Sequence, residues 1–163
     1  MPLVSIKELR LLLPPKSRLL GMDHSPKMLG LALSNPDLTI ATPHKTLDSG
    51  RFTENVKALA PLCREYNVAG FVIGLPINMA GEENKRSESV RSFAGNLLRA
   101  KVDLGFDPLI AFMDERLTTF AAEDFMDEHG LSHKQKKQNV DRMAAAYILQ
   151  AALDIMQKEK NNG

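Results

Sequence analysis

A chain of 163 residues with 44% hydrophobic content can bury one sizeable core, and we expect a single globular domain. The 21 Lys and Arg residues nearly balance the 20 Asp and Glu residues, so a global basic field is excluded and any surface for nucleic acid has to be local. The single cysteine, Cys63, excludes an internal disulfide and any thiolate zinc cluster, and it favours a reducing compartment.

Short apolar runs that alternate with helical stripes predict an α/β fold. Three strands precede a helix, a strand, a helix, a strand and two further helices, which describes a mixed five-stranded sheet, three antiparallel strands and then two parallel ones, flanked by helices. The strands are expected at 18–24, 28–34, 38–47, 68–73 and 108–113. The helices are expected at 3–13, 52–63, 90–98, between an N-cap at Thr118 or Thr119 and Gly130, and from about 139 to 157.

Individual proline and serine residues predict further details of three of these elements. Ser25-Pro26-Lys27 suits a type I turn, so the first two strands should form a hairpin. Pro43 suits a sheet edge better than a central strand. Pro61 should kink or interrupt the first long helix.

We divide the chain into an N-terminal extension at 1–17, one domain at 18–157 and a charged, frayed tail at 158–163. Its beginning has neither the charged and apolar regions of a signal peptide nor the composition of a transit peptide. No apolar run approaches the roughly 20 residues of a spanning helix. We therefore expect no membrane partner and a cytoplasmic location, or an organellar one if the chain is a trimmed form.

Carboxylates stand at the ends of two predicted strands. Asp23 closes the first strand, and Asp114 and Glu115 follow the last. Because side chains alternate across a sheet, His24 should face away from Asp23. By the same rule only one of Asp114 and Glu115 should share the Asp23 face, and the residues leave that choice open. Structural interpretations also exist: Asp23 as a turn residue, and the acidic pair as a strand end that Arg116 neutralises.

Asp141 lies in line with the expected buried stripe of the last helix. An interaction with the helix dipole could explain an acidic residue in the first turn. A carboxylate on the solvent-exposed face would interact with the dipole equally well, so the dipole does not explain the position on the buried face. A core-facing carboxylate needs a partner, and the alanines of this helix should let it lie close to the sheet, near Asp23. The residues that follow Asp141 at helical spacing are Ala145, Ile148, Ala152 and Ile155.

Three carboxylates on one face would bind Mg²⁺ or Mn²⁺ through oxygen ligands, with a scissile phosphate completing the coordination shell. Such ions activate water and stabilise the leaving oxygen in phosphodiester hydrolysis. The sequence offers no cluster of histidine and cysteine as a zinc alternative.

Basic residues stand where a phosphate backbone would lie, before the Asp141 helix and at the start of the 90–98 helix. Each group is also consistent with an ordinary solvated face. With 7 Phe, 2 Tyr and 0 Trp, the chain has too few aromatic residues to suggest a stacking platform, so we expect recognition by shape and backbone. The candidates are Lys85, Arg86, Arg91, Lys134, Lys136 and Lys137.

Four segments in order resemble the YqgF family, also called RuvX, of the ribonuclease H-like superfamily. Their order and spacing extend from residue 18 to residue 157, and four in order are far more specific than a lone Gly-x-Asp or Asp-Glu-Arg. The segments are Leu20-Gly21-Met22-Asp23 with Lys27 and Gly30-Leu31-Ala32-Leu33-Ser34; Gly74-Leu75-Pro76-Ile77-Asn78 up to Gly81; Asp114-Glu115-Arg116 with Thr118 and Thr119; and Val140-Asp141 with the alanines that follow.

The resemblance implies a ribonuclease H-like fold and a metal-dependent nuclease. Asp23, Glu115 and Asp141 match the family's acidic triad, as catalytic residues and as ligands of Mg²⁺ or Mn²⁺, which selects Glu115 over Asp114. The supporting residues would be Asp114, Arg116, Gly74, Pro76 and Asn78. Lys27 joins the candidates for nucleic-acid binding named above, among them Lys85, Arg86, Lys134, Lys136 and Lys137.

Members of this family are linked to processing the ends of precursor 16S ribosomal RNA. The resemblance therefore implies structured RNA as the preferred substrate and the precursor of the small ribosomal subunit as a partner. Similarity to RuvC keeps a Holliday junction resolvase-like nuclease, acting on branched DNA, as an alternative.

The chain departs from the family beside Asp23. The family has Gly two residues after its first Asp, whereas Ser25 and Pro26 stand here, and Pro26 removes one backbone donor. This departure leaves open a non-catalytic RNA-binding ribosome-assembly factor with the same fold. A phosphate-handling relative of the actin and sugar-kinase fold is a third interpretation, but the chain is too short for the second domain that such a protein closes over ATP.

Overall fold

The computed structural model describes residues 3–48, 50–115 and 133–162, with side chains described for 3–48, 50–115 and 142–159. The strands are β1 Arg18–His24, β2 Met28–Ser34, β3 Ala41–Asp48, β4 Val68–Leu75 and β5 Leu109–Asp114. The helices are α1 Ile6–Leu12, α2 Phe52–Glu65, α3 Lys85–Arg99, α4 Lys101–Leu104 and α5 His133–Asn162.

The sheet confirms the predicted mixed topology. Its strand order is β3-β2-β1-β4-β5. The β1–β2 and β2–β3 pairs are antiparallel, and the β1–β4 and β4–β5 pairs are parallel. The carboxyl ends of the three parallel strands β1, β4 and β5 therefore meet at one edge of the sheet.

The β1–β2 hairpin is closed by Ser25. Its backbone N–H donates to the carbonyl of Met28 at 2.9 Å, and its hydroxyl accepts from the N–H of Met28 at 3.1 Å. Pro43 pairs opposite Ala32 on β3, an edge strand, as predicted. Proline is tolerated there because no further strand needs its missing N–H.

One predicted boundary is wrong for a local reason, and one helix continues where a kink or an interruption was predicted. β3 begins three residues later than expected, because the Asn35 side chain accepts from the N–H groups of Thr39 and Ile40 and holds that segment in a turn. Pro61 does not interrupt α2, which runs through it from Phe52 to Glu65. Pro61 is exposed, so water can satisfy the carbonyl that the missing N–H leaves without a donor.

The last helix is longer than predicted. It begins at His133 instead of about 139 and continues to Asn162. Lys134, Lys136 and Lys137 thus belong to α5 and not to a preceding polar segment, although their side chains lie outside the described residues. The helix expected between Thr118 or Thr119 and Gly130 also lies outside them.

Helices cover both faces of the sheet. On one face α2 and α3 pack over a core that includes Leu20, Met22 and Phe71, and on the other α1 and α5 pack over Leu19 and Val72. Gly21 brings α5 close to β1, because a Cβ at this position would lie 2.8 Å from the carbonyl oxygen of Ala145. The expected close approach of the alanine-rich helix is therefore present.

The N-terminal segment covers the β5 edge of the sheet. Val4 donates from its backbone to the carbonyl of Ile110 at 2.9 Å, and Leu3 forms a parallel bridge with the same residue. Helix α1 is capped by Ser5, which accepts from the N–H of Glu8 at 3.1 Å, and it buries Leu9 completely. Residues before β1 therefore contribute to the core under α5.

Candidate active site

The candidate site lies where β1, β4 and β5 end. Side chains alternate along each strand, and Gly21 on β1 faces α5 while Met22 belongs to the opposite core. Asp23, two residues after Gly21, therefore shares the α5 face. His24 faces the other way, where its ring lies 4.5 Å from that of Phe93, centroid to centroid, as the alternation predicts.

Glu115 reaches Asp23 by passing over β4. The position that it crosses is Gly74, since a Cβ there would lie 2.8 Å from Cγ of Glu115 and would also contact its Oε1. The two carboxyls are joined by a hydrogen bond between their side chains. A residue larger than glycine in the middle strand would block this path.

Burial and mutual repulsion disfavour ionisation of both Asp23 and Glu115. Burial, the hydrogen bond to Asp23 and the charge of Asp23 raise the pKa of Glu115 to about 8, and the charge of Asp114 adds to the increase. At neutral pH the pair therefore keeps a proton, which the two carboxyls share in their hydrogen bond. The two carboxyls repel each other when both are ionised. Both can lose their protons only when a positive charge lies nearby.

Arg86 supplies part of that positive charge. Its guanidinium donates to the carbonyl of His24 at 3.3 Å, and its charge opposes the increase in the pKa of Glu115. Burial and, to a lesser extent, Arg86 lower the pKa of His24. Arg86 therefore lies near both Glu115 and His24, with its side chain exposed at the first turn of α3.

Asp141 lies in α5, one helical turn before Ala145. Ala145 is the residue whose carbonyl approaches Gly21, so the helix passes over the strand that carries Asp23. The side chain of Asp141 lies outside the described residues. Its participation in the site remains a prediction based on the stripe of Ala145, Ile148 and Ala152, all of which are buried.

The other residues expected to support the site have different positions. Asp114 ends β5 opposite Leu75, and Arg116 lies outside the described residues. Asn78 holds the loop after β4, because its side-chain oxygen accepts from the N–H groups of Ala80 at 3.0 Å and Glu82 at 2.9 Å.

Pro76 connects the β4 loop to α3. Its carbonyl accepts a short hydrogen bond from the buried hydroxyl of Ser87. Sequence reasoning missed Ser87, and the signal that could have found it was the Asn84-to-Ser87 spacing of a helix cap, which α3 uses. Ser87 fixes the start of α3 and thereby the position of Arg86.

Basic residues flank one side of the site. Lys27 is exposed at the tip of the β1–β2 hairpin, and Lys85 is exposed beside Arg86. Arg91 is instead engaged by Glu83, to which it donates two hydrogen bonds at 2.6 and 2.8 Å. Of the α3 residues proposed for phosphate binding, Lys85 and Arg86 are therefore better placed than Arg91.

The donor set fits a hard divalent cation. Asp23 and Glu115 offer carboxylate oxygens, which Mg²⁺ and Mn²⁺ prefer, and a cation would remove the repulsion that raises the pKa of Glu115. Within residues 3–48, 50–115 and 142–159, no group of three or more His, Cys, Asp or Glu side chains could hold a metal ion. A third ligand from Asp141 would complete a carboxylate triad.

None of the helices among the described residues combines the length and the apolar character that a membrane crossing requires.

The chain is similar to curated bacterial proteins over most of its length. Proteins of Rhodospirillum centenum and Paramagnetospirillum magneticum, each named "Putative pre-16S rRNA nuclease", are 44% identical to it over 154 residues, or 94% of this chain. The aligned regions cover 82% of the first protein and 96% of the second.

Solved structures give a consistent fold. RuvC of T. thermophilus in complex with a Holliday junction substrate matches 86% of this chain and 96% of its own, with a TM-score of 0.53 and 14% identity. A second Thermus thermophilus RuvC structure gives a TM-score of 0.51 at the same identity. The fold is accordingly that of the RuvC-like, ribonuclease H-like proteins.

A family model described as "RuvX: Holliday junction resolvase" matches residues 17–155, a region that begins after α1 and includes Asp23, Gly74, Glu115 and Asp141. Together with the 44% identity to the two curated relatives, this match establishes that the chain belongs to the RuvX family.

Proposed function

We propose that this protein is a divalent-metal-dependent nuclease that processes the ends of precursor 16S ribosomal RNA. The observation that carries the proposal is the hydrogen-bonded pair of Asp23 and Glu115 at the carboxyl edge of the sheet, with the pKa of Glu115 raised to about 8. Two carboxyls held together against their repulsion gain most from a shared cation. The names of relatives that are 44% identical support RNA as the substrate.

The residues that would hold Mg²⁺ or Mn²⁺ are Asp23, Glu115 and Asp141. When bound, such an ion lowers the pKa of a water molecule and stabilises the charge that develops on the leaving oxygen. The protein's own residues orient the reacting groups: Gly74 leaves room for Glu115 to reach Asp23. Arg86, exposed next to the pair, would bind a phosphate oxygen of the substrate and neutralise its charge.

Further substrate contacts would come from lysines around the site. Lys27 on the hairpin and Lys85 on α3 are exposed, and Lys134, Lys136 and Lys137 belong to the first turns of the helix that carries Asp141. These positions suit the phosphate backbone of a structured RNA within the precursor of the small ribosomal subunit. A ribosomal substrate and a reduced Cys63 both fit the cytoplasm as the place of action.

A second candidate is a nuclease that acts on branched DNA. The family description and the RuvC-like fold favour it. A third candidate is a ribosome-assembly factor that binds RNA without cutting it. It is favoured by the hairpin beside Asp23, where Ser25 is engaged with Met28 and Pro26 offers no N–H to a phosphate.

Cleavage of precursor 16S ribosomal RNA by the full chain, with Mg²⁺, Mn²⁺ or EDTA, tests the proposal. We expect metal-dependent shortening by the wild type and roughly a hundredfold loss or more in Asp23→Asn and Asp141→Asn, because each removes a charge on which transition-state stabilisation depends. Asp103→Asn, an exposed carboxylate on α4, is the matched control and should retain full activity.

The outcomes separate the three candidates. Equal cleavage by the wild type and both site variants would contradict the proposal. Faster cleavage of a four-way DNA junction than of the RNA would favour the second candidate. Tight RNA binding without cleavage under either metal would favour the third.

A further inference from the structure

An open cavity of about 620 Å³ lies next to the candidate active site, on the α2–α3 side of the sheet. The end of β1, the start of α2 and the length of α3 from Lys85 to Asn96 form its walls. This volume is typical of sites that bind a small molecule or one unit of a polymer. The lining residues that matter here are His24, Phe52, Asn55, Lys85, Ser92 and Asn96.

Asn55 is the most informative of them. It is 3% exposed and yet lines the cavity. Among the residues that the structure describes, its side-chain amide nitrogen donates to no acceptor, although the backbone N–H of Asn55 donates to the carbonyl of Arg51. Among the described residues, the Asn55 amide is not one of the fully buried polar atoms that lack a partner, so it borders the open cavity, where it can donate to and accept from a ligand.

The chemistry of the other lining side chains indicates which class of ligand the cavity would bind. Phe52 and the His24 ring, which packs on Phe93, offer flat aromatic surface. Ser92 and Asn96 add a hydroxyl and an amide at helical spacing on α3, and Lys85 adds a positive charge at the mouth. Aromatic rings beside amides that both donate and accept are the combination that recognises an unpaired nucleobase, with a cation for its phosphate.

The cavity and the carboxyl pair lie on opposite faces of the sheet, and two residues connect them. His24 directly follows Asp23 in β1, and Arg86 both donates to the His24 carbonyl and acts on the charge of Glu115. An RNA strand that crosses this end of the sheet would therefore pass both the carboxyl pair and the cavity.

We propose that this cavity, the Asn55 cavity, binds one unpaired nucleobase of the RNA next to the bond that the enzyme cleaves. The inference rests on the proposed function and adds that the substrate is single-stranded at this position. It also supplies a stacking site that the small number of aromatic residues in the sequence did not suggest.

Position-specific fluorescence tests the base site. The full chain is titrated, in EDTA to prevent cleavage, with an RNA hairpin that has a single-stranded 3′ overhang carrying 2-aminopurine at each overhang position in turn. We expect a fluorescence change of at least about threefold at one or two adjacent positions, since stacking on a protein ring alters the environment of that base alone.

Substitutions in the cavity test whether the fluorescence change arises there. Ser92 is exposed at the rim, so Ser92→Trp should fill the cavity without unfolding the protein, abolish the signal and weaken overhang binding roughly tenfold. Asn55→Leu should weaken the same binding, while affinity for a blunt hairpin stays unchanged in both. Val102→Trp adds the same side chain at a site that is 86% exposed, outside the cavity, and should behave as the wild type.

Equal fluorescence changes at all positions, or unchanged overhang binding by a folded Ser92→Trp variant, would overturn the inference. The two proposals fail separately. Absence of metal-dependent cleavage with a position-specific signal refutes the nuclease and supports the base site, whereas cleavage without such a signal refutes the base site alone.

Discussion

The side chain of Glu115 packs directly over Gly74: its Cγ lies 2.8 Å from the point that a Cβ on residue 74 would occupy. Gly74→Ala should therefore push Glu115 away from Asp23. A displacement on the order of 1 Å can lower activity roughly a hundredfold, and we expect a loss of that size in a steady-state nuclease assay. The free energy of unfolding should fall by about 1–3 kcal/mol through overpacking.

A second substitution separates these two effects. The methyl group that Gly74→Ala adds would also lie 2.5 Å from Cδ1 of Ile148, an atom that Ile148→Val removes. The double variant Gly74→Ala with Ile148→Val should regain part of the stability but none of the activity. Recovery of activity in the double variant would mean that the position of α5, and not that of Glu115, limits the reaction.

The stability of the metal-free protein should fall as the pH rises from about 5 to 8. The pKa of Glu115 is about 8 in the folded protein and 4.5 in the reference state, so between these values the folded protein holds a proton that the unfolded chain has released. The free energy of unfolding therefore decreases with pH, by at most about 1.4 kcal/mol per pH unit from this group. Urea unfolding in EDTA at several pH values measures the slope.

Glu115→Gln should flatten this pH dependence, since an amide does not titrate. Glu54→Gln, which changes an exposed carboxylate on α2, should leave it unchanged and serves as the control. A slope that persists in Glu115→Gln would assign the dependence to another group.

Divalent metal should reverse the loss of stability at high pH. A Mg²⁺ or Mn²⁺ ion held as proposed would compete with the proton for Glu115, so added metal should raise the thermal unfolding midpoint more at pH 8 than at pH 5.5. Asp23→Asn should remove most of the increase. Differential scanning fluorimetry with Mg²⁺ titrations measures it, and an equal increase at both pH values would argue against binding at the carboxyl pair.

The segment before β1 should stabilise the protein even though the family match begins at residue 17. Leu9 is fully buried under α5, and Leu9→Ala should reduce the free energy of unfolding by about 2–5 kcal/mol. Leu11 lies on the same helix with 74% exposure, and Leu11→Ala should cost less than about 0.5 kcal/mol. Urea unfolding compares the two, and equal effects would mean that α1 does not pack as described.

Cys63 should be inert in the folded protein. Burial raises the pKa of its thiol to about 12, so almost none of the reactive thiolate forms at pH 8. A thiol reagent such as 5,5′-dithiobis(2-nitrobenzoate) should react with Cys63 in urea and not in buffer, as absorbance will show. Rapid reaction in buffer would indicate that α2 opens locally.

Side-chain alternation and helical spacing predicted a large part of this fold because they depend on near neighbours in the chain. The period of two along β1 was enough to turn His24 away from Asp23, and the hairpin followed from the turn at Ser25. Pro61 does not end α2 because its local penalty of about 3 kcal/mol is outweighed by the packing of the helix.

The candidate site was less accessible to such reasoning. The path of Glu115 over Gly74 depends on three strands in register, which local patterns do not specify. The choice of Glu115 over Asp114 came from family resemblance, not from periodicity. Asn55 gave no signal in the sequence, because an asparagine inside an amphipathic helix is ordinary until the volume beside it is known.

Two glutamines determine how far α5 can slide along its own axis. Gln150 accepts from the N–H of Ala41 at 2.9 Å and donates to the carbonyl of Thr39 at 3.0 Å, and Gln157 donates to the carbonyl of Leu38 at 3.1 Å. A shift by one residue, about 1.5 Å, would break all three hydrogen bonds. The backbone at Asp141, about 14 Å further along the helix, is thus kept in place by contacts with the opposite margin of the sheet, so substitutions at these glutamines could alter nuclease activity without touching the site.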